Sequence, residues 1–342
     1  MDGSGNVYVT GYSTGSGTFK DYTTIRYNSS GNQQWVARYD GSDNYDDGAG
    51  SIALDDSGNV YVTGTSSGSG TSSDYATIKY NSSGAQQWVA RYNGPGNSDD
   101  YASSMAVDGS GNVYVTGSSY RSGTADDYAT IKYSSSGVQQ WVARYDGPGN
   151  FNDDLATSIA VDVTGNVYVT GNSSVNGTTA NDYATIKYNS YGDSVWIKRY
   201  NGPGNTGDKA YSIAVDVLGN VYVTGSSTGS GTYTDYATIK YSQSTGIRQI
   251  SSNIPEEFSL SQNYPNPFNP VTNLEFGISD LGFVSLKVYD ILGKEIITLV
   301  NEKLSPGNYK VEFDGRGFTS GVYFYRLNIG EFTDTKRMIL IK

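Results

Sequence analysis

The seven residues Gly111-Asn112-Val113-Tyr114-Val115-Thr116-Gly117 occur with the same letters at four other places in this 342-residue chain. The other copies begin at Gly5, Gly58, Gly165 and Gly219, which gives a spacing of 53 or 54 residues. A period of this length is typical of a repeated supersecondary unit. The first 250 residues are therefore interpreted as about five copies of one structural unit.

Two further features repeat in phase with this heptapeptide. The string that begins Asp127-Tyr128-Ala129 returns at Asp74, Asp182 and Asp235, and a close variant begins at Asp21. The four tryptophans, Trp35, Trp88, Trp141 and Trp196, share one repeat position. Alternation of apolar and polar residues predicts four strands, a to d, in the third copy. They are residues 104–108, 112–116, 128–133 and 139–145, with tight a–b and c–d turns and b–c and d–a connections of about ten residues.

Four-stranded units of this length, each joined to the next by a long link, are typical of a β-propeller. In an up-and-down blade, the tight turns lie at one face of the propeller and the long connections at the other. Binding residues are common on such long connections. The fixed position of the tryptophans inside strand d indicates packing between blades rather than sugar stacking.

The repeated strings resemble the SBBP repeat, a bacterial β-propeller repeat family, over residues 1–250. The resemblance implies a propeller fold and says little about function. Eighteen good strands are expected, because strand a is missing before Asp2 and the fifth copy has only a degenerate candidate for strand d at residues 247–254. Five complete blades need more strands, and members of the family usually have seven blades, so an N-terminal portion is expected to be missing.

The composition changes near residue 250. Every Glu lies at or beyond Glu256, and residues 1–254 carry 23 Asp against 14 Lys and Arg, a net charge of −9. Residues 251–273 are rich in proline and are interpreted as a linker that includes the start of a new motif. Short alternating segments after it predict a small Ig-like β-sandwich.

Residues 258–342 resemble the type A C-terminal sorting domain of the type IX secretion system. The residues that carry the resemblance are Tyr264, Pro265, Asn266, Pro267, Phe268, Asn269, Asp290, Gly293, Gly307, Tyr309, Gly321, Tyr323, Lys336 and Lys342. The resemblance implies export across the outer membrane, recognition by the secretion machinery and its sortase, and an extracellular or surface-attached product. Such cargo needs a signal peptide, and none precedes the repeats here, which is a second indication that the N-terminus is truncated.

Composition excludes several function classes. The chain has no Cys and no His, which rules out most zinc sites, Cys nucleophiles and Ser-His-Asp triads. The net charge of −11 gives no basic footprint for nucleic acid. No apolar run is long enough for a transmembrane helix.

The acidic side chains of the long connections are the candidate ligand-binding residues. They are Asp46, Asp47, Asp99, Asp100, Asp153 and Asp154, with Asp126, Asp127 and Asp182 nearby, and Tyr45, Tyr120, Phe151 and Tyr233 are candidate stacking residues. Calcium binding stays possible at these carboxylates and at the Asp-x-x-Gly-Asn turns. The simpler interpretations are a solvated acidic rim for the carboxylates and capping of the hairpin backbone for the turns.

No catalytic residue stands out, and no cofactor is expected. The sequence favours a secreted binding or adhesion module for an extracellular glycan or protein; a polysaccharide lyase or hydrolase and a calcium-stabilised array are the alternatives.

Overall fold

A computed structural model describes residues 1–15, 19–42, 45–68, 71–123, 125–148, 153–174, 181–216, 219–231, 233–242 and 247–342. Two compact units divide the chain. The first comprises residues 1–215 and 221–240, and the second comprises residues 216–220 and 241–342.

The first unit consists of five antiparallel sheets, here called blades 1 to 5, each formed by consecutive strands. Blade 1 contains β1 (Val7–Thr14), β2 (Lys20–Tyr27) and β3 (Gln33–Tyr39). Blade 2 contains β4 (Gly48–Leu54), β5 (Val60–Gly68), β6 (Thr71–Tyr80) and β7 (Gln86–Tyr92), and blade 3 contains β8 (Asp100–Val107), β9 (Val113–Arg121), β10 (Ala125–Tyr133) and β11 (Gln139–Tyr145). Blade 4 contains β12 (Asp154–Val161), β13 (Val167–Ser174), β14 (Asn181–Tyr188) and β15 (Ser194–Tyr200), and blade 5 contains β16 (Lys209–Val215), β17 (Val221–Thr228) and β18 (Thr234–Tyr241).

The hydrophobic cores of the first unit lie between neighbouring blades. One cluster joins Tyr61 and Tyr75 of blade 2 to Val113 and Ile131 of blade 3, and equivalent clusters join blades 1 and 2 and blades 3 and 4. Strands b and c of the middle blades are buried on both faces, because each blade is covered by another blade on both sides. The alternating apolar residues therefore all contribute to packing.

The b–c connections are shorter than the sequence indicates. In blade 3, β9 and β10 remain paired as far as Arg121 and Ala125, so the prediction of about ten connecting residues is wrong for b–c. Ser118, Ser119 and Tyr120 look like loop residues in the sequence, but their backbone groups are satisfied by the ladder. The d–a links, such as residues 93–99 between β7 and β8, are longer.

Residues 247–254 do not complete blade 5. The strand found there, β19 (Arg248–Ser251), pairs instead with a strand of the second unit, β24 (Gly307–Asp314). The interpretation of this segment as a degenerate strand d of the repeat is therefore wrong. The number of blade strands, eighteen in the described residues, agrees with the sequence-based expectation.

Trp35, Trp88 and Trp141 each pack against the c–d turn of the next blade. The Trp88 indole N–H donates to the Ser135 carbonyl at 3.1 Å, and Trp35 and Trp141 make the equivalent bonds. The turn approaches closely because it contains Gly137, whose φ is +83°. This contact confirms that the repeated tryptophans are used between blades.

Substituting Gly137 by alanine tests this close approach. A Cβ at Gly137 would lie 2.7 Å from Trp88 Cδ2, whereas a Cβ at Gly31, with φ +80°, meets nothing within 4 Å. Both substitutions carry the left-handed penalty of about 1–2 kcal/mol. We expect Gly137→Ala to cost about 1–3 kcal/mol more through overpacking, measured as the free energy of unfolding in urea. Equal costs for the two variants would contradict the packing role.

The second unit contains two four-stranded sheets. One sheet has the order β19-β24-β21-β20, with β20 at Ser259–Leu260 and β21 at Val271–Ile278. The other has the order β23-β22-β25-β26, with β22 at Gly282–Tyr289, β23 at Glu295–Leu304, β25 at Gly321–Ile329 and β26 at Phe332–Leu340. A single core with contributions from both sheets, including Leu274, Leu286 and Leu327, fills the space between them. No described residue belongs to a helix of the length and hydrophobicity that a membrane span requires.

Candidate functional site

Five of the acidic residues predicted at the long-connection face are buried: Asp47, Asp100, Asp127, Asp154 and Asp182. Asp47, Asp100 and Asp154 are at most 1% exposed, and Asp208 repeats the position in blade 5. Asp154 shows the reason: its carboxylate accepts the Gly147 N–H at 2.6 Å and the Ser174 N–H at 3.1 Å. Asp47, Asp100, Asp154 and Asp208 each accept a backbone N–H at the start of a d–a link, and their burial removes them from the exposed surface of this face.

In blades 1 to 4, an arginine of strand d forms an ion pair with an aspartate of strand c. The arginine is half-buried in blades 2 to 4 and exposed in blade 1. Arg144 donates to Asp127 Oδ2 at 3.1 Å, to Ser119 Oγ and O at 2.7 Å each, and to the Tyr92 hydroxyl of blade 2 at 3.1 Å. Arg38, Arg91 and Arg199 make the equivalent ion pairs with Asp21, Asp74 and Asp182. Each arginine thus connects strands b, c and d of its blade.

Two groups of three carboxylates have the spacing of a cation site. Asp21, Asp40 and Asp47 form one group and Asp127, Asp146 and Asp154 the other, with one oxygen of each residue within 4.8 Å of the others. Oxygen ligands at this spacing are the donor set that Ca²⁺ prefers. An arginine already contacts one carboxylate of each group, which reduces the negative charge available to a cation.

The remaining residues of the long-connection face are more accessible. Asp46 is exposed and pairs with Lys20 at 3.1 Å, while Asp99 accepts the Ser73 N–H and Asp153 is exposed. Tyr45 and Tyr120 are 62% and 38% exposed, and Tyr233 is 95% exposed. Phe151 lies outside the described residues.

Asp126 is the most perturbed carboxyl of this face. It is half-buried beside Tyr120 in the β9–β10 ladder. Burial, together with the negative charges of Asp153, Asp100, Asp127 and Asp99, raises the pKa of Asp126 to about 6. A carboxyl that carries its proton close to neutral pH is a candidate general acid.

The raised pKa of Asp126 predicts a pH-dependent stability effect. Folding raises this pKa above its ordinary value of 3.8, so the native state loses stability as the pH rises from about 4 to about 6. We expect Asp126→Asn to raise the melting temperature at pH 7.5 and to change it much less at pH 3.5, where Asp126 is mostly protonated in both states. Asp56→Asn, at an exposed hairpin residue, is the control; a pH-independent effect of Asp126→Asn would contradict the prediction.

The Asp-x-x-Gly-Asn turns are capped hairpins. The Asp108 carboxylate accepts the backbone N–H groups of Ser110 and Asn112, the Asn112 side-chain N–H and the Tyr114 hydroxyl, all within 3.0 Å. Asp55 and Asp162 make the same set of bonds in their blades. The repeated tyrosine of strand b thus completes the turn.

In the second unit, the structure brings the first and last blocks of the predicted sorting motif together. Phe268 is buried, its N–H donates to the Ile339 carbonyl at 2.9 Å, and its carbonyl accepts the Ile341 N–H at 3.0 Å. Asn266 Oδ1 accepts the Ile339 N–H at 3.0 Å. Tyr264, Pro265, Asn266, Pro267 and Asn269 are otherwise exposed. The segment is therefore an exposed loop that Phe268 anchors beside the last strand.

The other motif residues have structural contacts. The Tyr309 and Tyr323 hydroxyls donate to the Ser305 and Thr319 carbonyls at 2.7 Å. Asp290 caps the turn that contains Gly293, and Gly307 has φ +149° where Gln249 approaches. Gly321 begins β25, Lys336 pairs with Asp334, and Lys342 donates to the Arg316 carbonyl.

The sequence did not reveal the contacts of two further residues of this unit, Asn263 and Tyr325. Asn263 is 2% exposed, and its side chain donates to Pro265 O and Thr272 Oγ1. The hydroxyl of the fully buried Tyr325 accepts the Asn263 N–H and donates to Ser261 O, both at 2.7 Å. The only sign of this in the sequence is the position of Asn263 directly before the motif.

Comparison with protein families gives two matches. Residues 262–342 match the family described as "Secretion system C-terminal sorting domain", and residues 34–70, 87–121, 140–177 and 195–231 match the family described as "Beta-propeller repeat". No match was found among curated proteins.

Two solved structures are similar at low identity. PorZ, a bacterial surface component of the type IX secretion system of Porphyromonas gingivalis, matches with 15% identity and a TM-score of 0.38 over 98% of this chain and 51% of PorZ. A putative gluconolactonase matches with 10% identity and a TM-score of 0.34 over 94% of this chain and 86% of that structure. The chain thus spans about half the length of PorZ.

Proposed function

We propose that this chain, which carries β-propeller repeats and a type IX secretion sorting domain, is a binding or adhesion module for an extracellular glycan or protein. The sorting domain directs export to the cell surface or the extracellular space and implies contact with the secretion machinery. The removal of this domain by a sortase and the choice between anchoring and release belong to the proposal.

Exposed aromatic residues at unrepeated positions carry the binding proposal. The strand order places b–c turns and d–a links at the same end of every blade, and Tyr45, Tyr120 and Tyr233 all lie there. Tyr120 stands where the neighbouring blades have Ser67 and Ser174. The repeated tyrosines Tyr75 and Tyr128 are fully buried. The exposed ones therefore have no role in the repeat and fit contact with a ligand.

Export gives a direct test. The full chain, preceded by a signal peptide, is expected at the surface or in the medium of a type IX-competent host, and the same chain without residues 262–342 is expected to stay inside the cell. Surface labelling and cell fractionation measure the difference. A host with an inactivated type IX system is the control, and efficient surface display of the truncated chain would contradict the assignment.

Ligand binding needs its own measurement. The purified full chain, tested on glycan and protein arrays, is expected to bind, and Tyr120→Ser, which copies the neighbouring blades, is expected to weaken that binding. Tyr191→Ser, at an exposed tyrosine of a c–d turn on the opposite face, is the matched control. Failure of the chain to bind any member of either array would contradict the binding proposal but not the export.

A polysaccharide-active enzyme is the second candidate, and Asp126 favours it. A protonated carboxyl near other carboxylates is the arrangement that glycoside hydrolases use. If the chain turns over a polysaccharide, the rate is expected to fall as the pH rises through about 6 and to be lost in Asp126→Asn, as in Asp99→Asn. Turnover that survives both substitutions would rule out this site.

A further inference from the structure

The tight-turn face contains a crevice between blades 3 and 4 that none of the functions above uses. Its volume is about 390 Å³, within the range of small-ligand sites. Blade 3 contributes the hairpin around Asp108 and the side chains of Tyr114 and Lys132, and blade 4 contributes the hairpin from Val161 to Gly165 and Ser190.

Lys132 supplies hydrogen-bond donors to the crevice. Its ammonium lies 5.2 Å from the centroid of the Tyr114 ring, and its hydrogen bond to the Ser190 carbonyl is long at 3.4 Å. Within the described parts of the chain, no carboxylate lies within 4.0 Å of this ammonium. A lysine has three N–H donors, so Lys132 can donate to a ligand.

The other charged groups of the crevice are the carboxylates of Asp108 and Asp162. Both accept several hydrogen bonds from their own hairpins, so they are held in place. Two carboxylates and one ammonium make the crevice unfavourable for an anionic ligand, and the net charge of −11 adds to this at long range. Neutral hydroxyl groups both donate and accept hydrogen bonds, so they are complementary to the carboxylates and to the ammonium.

The walls of the crevice are partly aliphatic. Val107 and Val161 line it, and Val163, at the tip of the blade 4 hairpin, is 71% exposed. The hairpin itself does not require valine, because blades 2 and 3 have Asp56 and Gly109 at this position. The exposed valine matches the face of a sugar ring that carries C–H groups. The hydrogen-bonding groups beside it match the hydroxyl groups at the edge of the ring.

We infer that this crevice binds a neutral pyranose unit of a glycan. The ring lies against Val163, and Lys132 donates to its hydroxyl oxygens. The inference rests on the proposed binding function but places a sugar on the face opposite Tyr45, Tyr120 and Tyr233.

The equivalent lysine between blades 2 and 3 supplies a matched control. Lys79 lies 5.0 Å from the Tyr61 ring and 3.4 Å from the Ser135 carbonyl, almost the same contacts as those of Lys132. The facing hairpin there has Gly109 instead of valine. Lys79→Met therefore removes an equivalent cation from a place that lacks a counterpart of Val163.

NMR titration of the full chain with methyl β-glucopyranoside, methyl β-galactopyranoside and methyl α-mannopyranoside tests the site. At least one probe is expected to bind, with its Kd raised about tenfold by Lys132→Met and severalfold by Val163→Gly, and unchanged by Lys79→Met. Val163→Gly keeps the test valid if Lys132→Met destabilises the blade, because Val163 lies outside the core clusters.

The outcomes separate the two proposals. If none of the three probes binds, or if Lys132→Met and Val163→Gly leave the affinity unchanged, the sugar site is wrong. Equal losses in Lys79→Met and Lys132→Met would also overturn it. If glycan binding by the full chain is lost in Tyr120→Ser but kept in both crevice variants, the binding function stands and this site does not.

Discussion

Substituting Tyr128 by alanine is expected to lower the free energy of unfolding of the first unit by about 3–5 kcal/mol. Tyr128 is fully buried between blades 3 and 4. Its ring packs against Tyr145 with 5.3 Å between centroids, and its hydroxyl donates to the Ala184 carbonyl at 3.3 Å. Alanine leaves a cavity where blade 4 covers blade 3, so both the transfer and the cavity costs apply. The Ala184 carbonyl keeps its second hydroxyl donor, Thr170.

The same substitution at Tyr236 is the matched control. Tyr236 occupies the same repeat position in blade 5 but is 87% exposed, so we expect Tyr236→Ala to change stability by no more than about 0.5 kcal/mol. Tryptophan fluorescence in urea follows this unit selectively, because all four tryptophans lie in it. Similar losses of stability for the two variants would show that tyrosine at this repeat position stabilises the protein through its strand propensity and not through packing between blades.

The repeats allowed much of the fold to be predicted, because a strand that recurs five times leaves little doubt about its period. Tyr128 and Trp141 recur at fixed positions, which is a direct sign of packing between equivalent units. The strand ends at Ser118–Arg121 were missed for a physical reason. Small polar residues are typical of loops in isolation, and only the pairing of β9 with β10 makes them strand residues.

The candidate site was harder to predict than the fold. Asp154 and Asp153 are adjacent acidic residues, yet one is buried as a backbone cap and the other is exposed. Which of two neighbours turns inward depends on strand register, which the sequence does not state. The crevice beside Lys132 was missed because it is formed by two blades, and the sequence pattern describes each blade alone.

Substituting Asp127 by alanine is expected to cost about 3–5 kcal/mol, because it leaves the Arg144 guanidinium buried without this carboxylate. The side chains of Asp127 and Arg144 are 1% and 18% exposed, so water replaces the lost partner poorly. The exposed Lys20–Asp46 pair provides the control, and Asp46→Ala is expected to cost about 0–1 kcal/mol.

The double variant Asp127→Leu/Arg144→Met distinguishes the stabilisation by the ion pair from the cost of leaving one buried charge without its partner. If the cost of Asp127→Ala comes from the uncompensated guanidinium, removing both charges is expected to recover much of the stability, as measured by the same tryptophan-fluorescence titration in urea. Arg144 also donates to Ser119 and to Tyr92 of blade 2, so part of the loss is expected to remain in the double variant. The loss of stability in the double variant could instead equal the sum of the losses in Asp127→Leu and Arg144→Met. That result would show that the two residues act independently and that the arginine stabilises the blade mainly through its bonds to strand b.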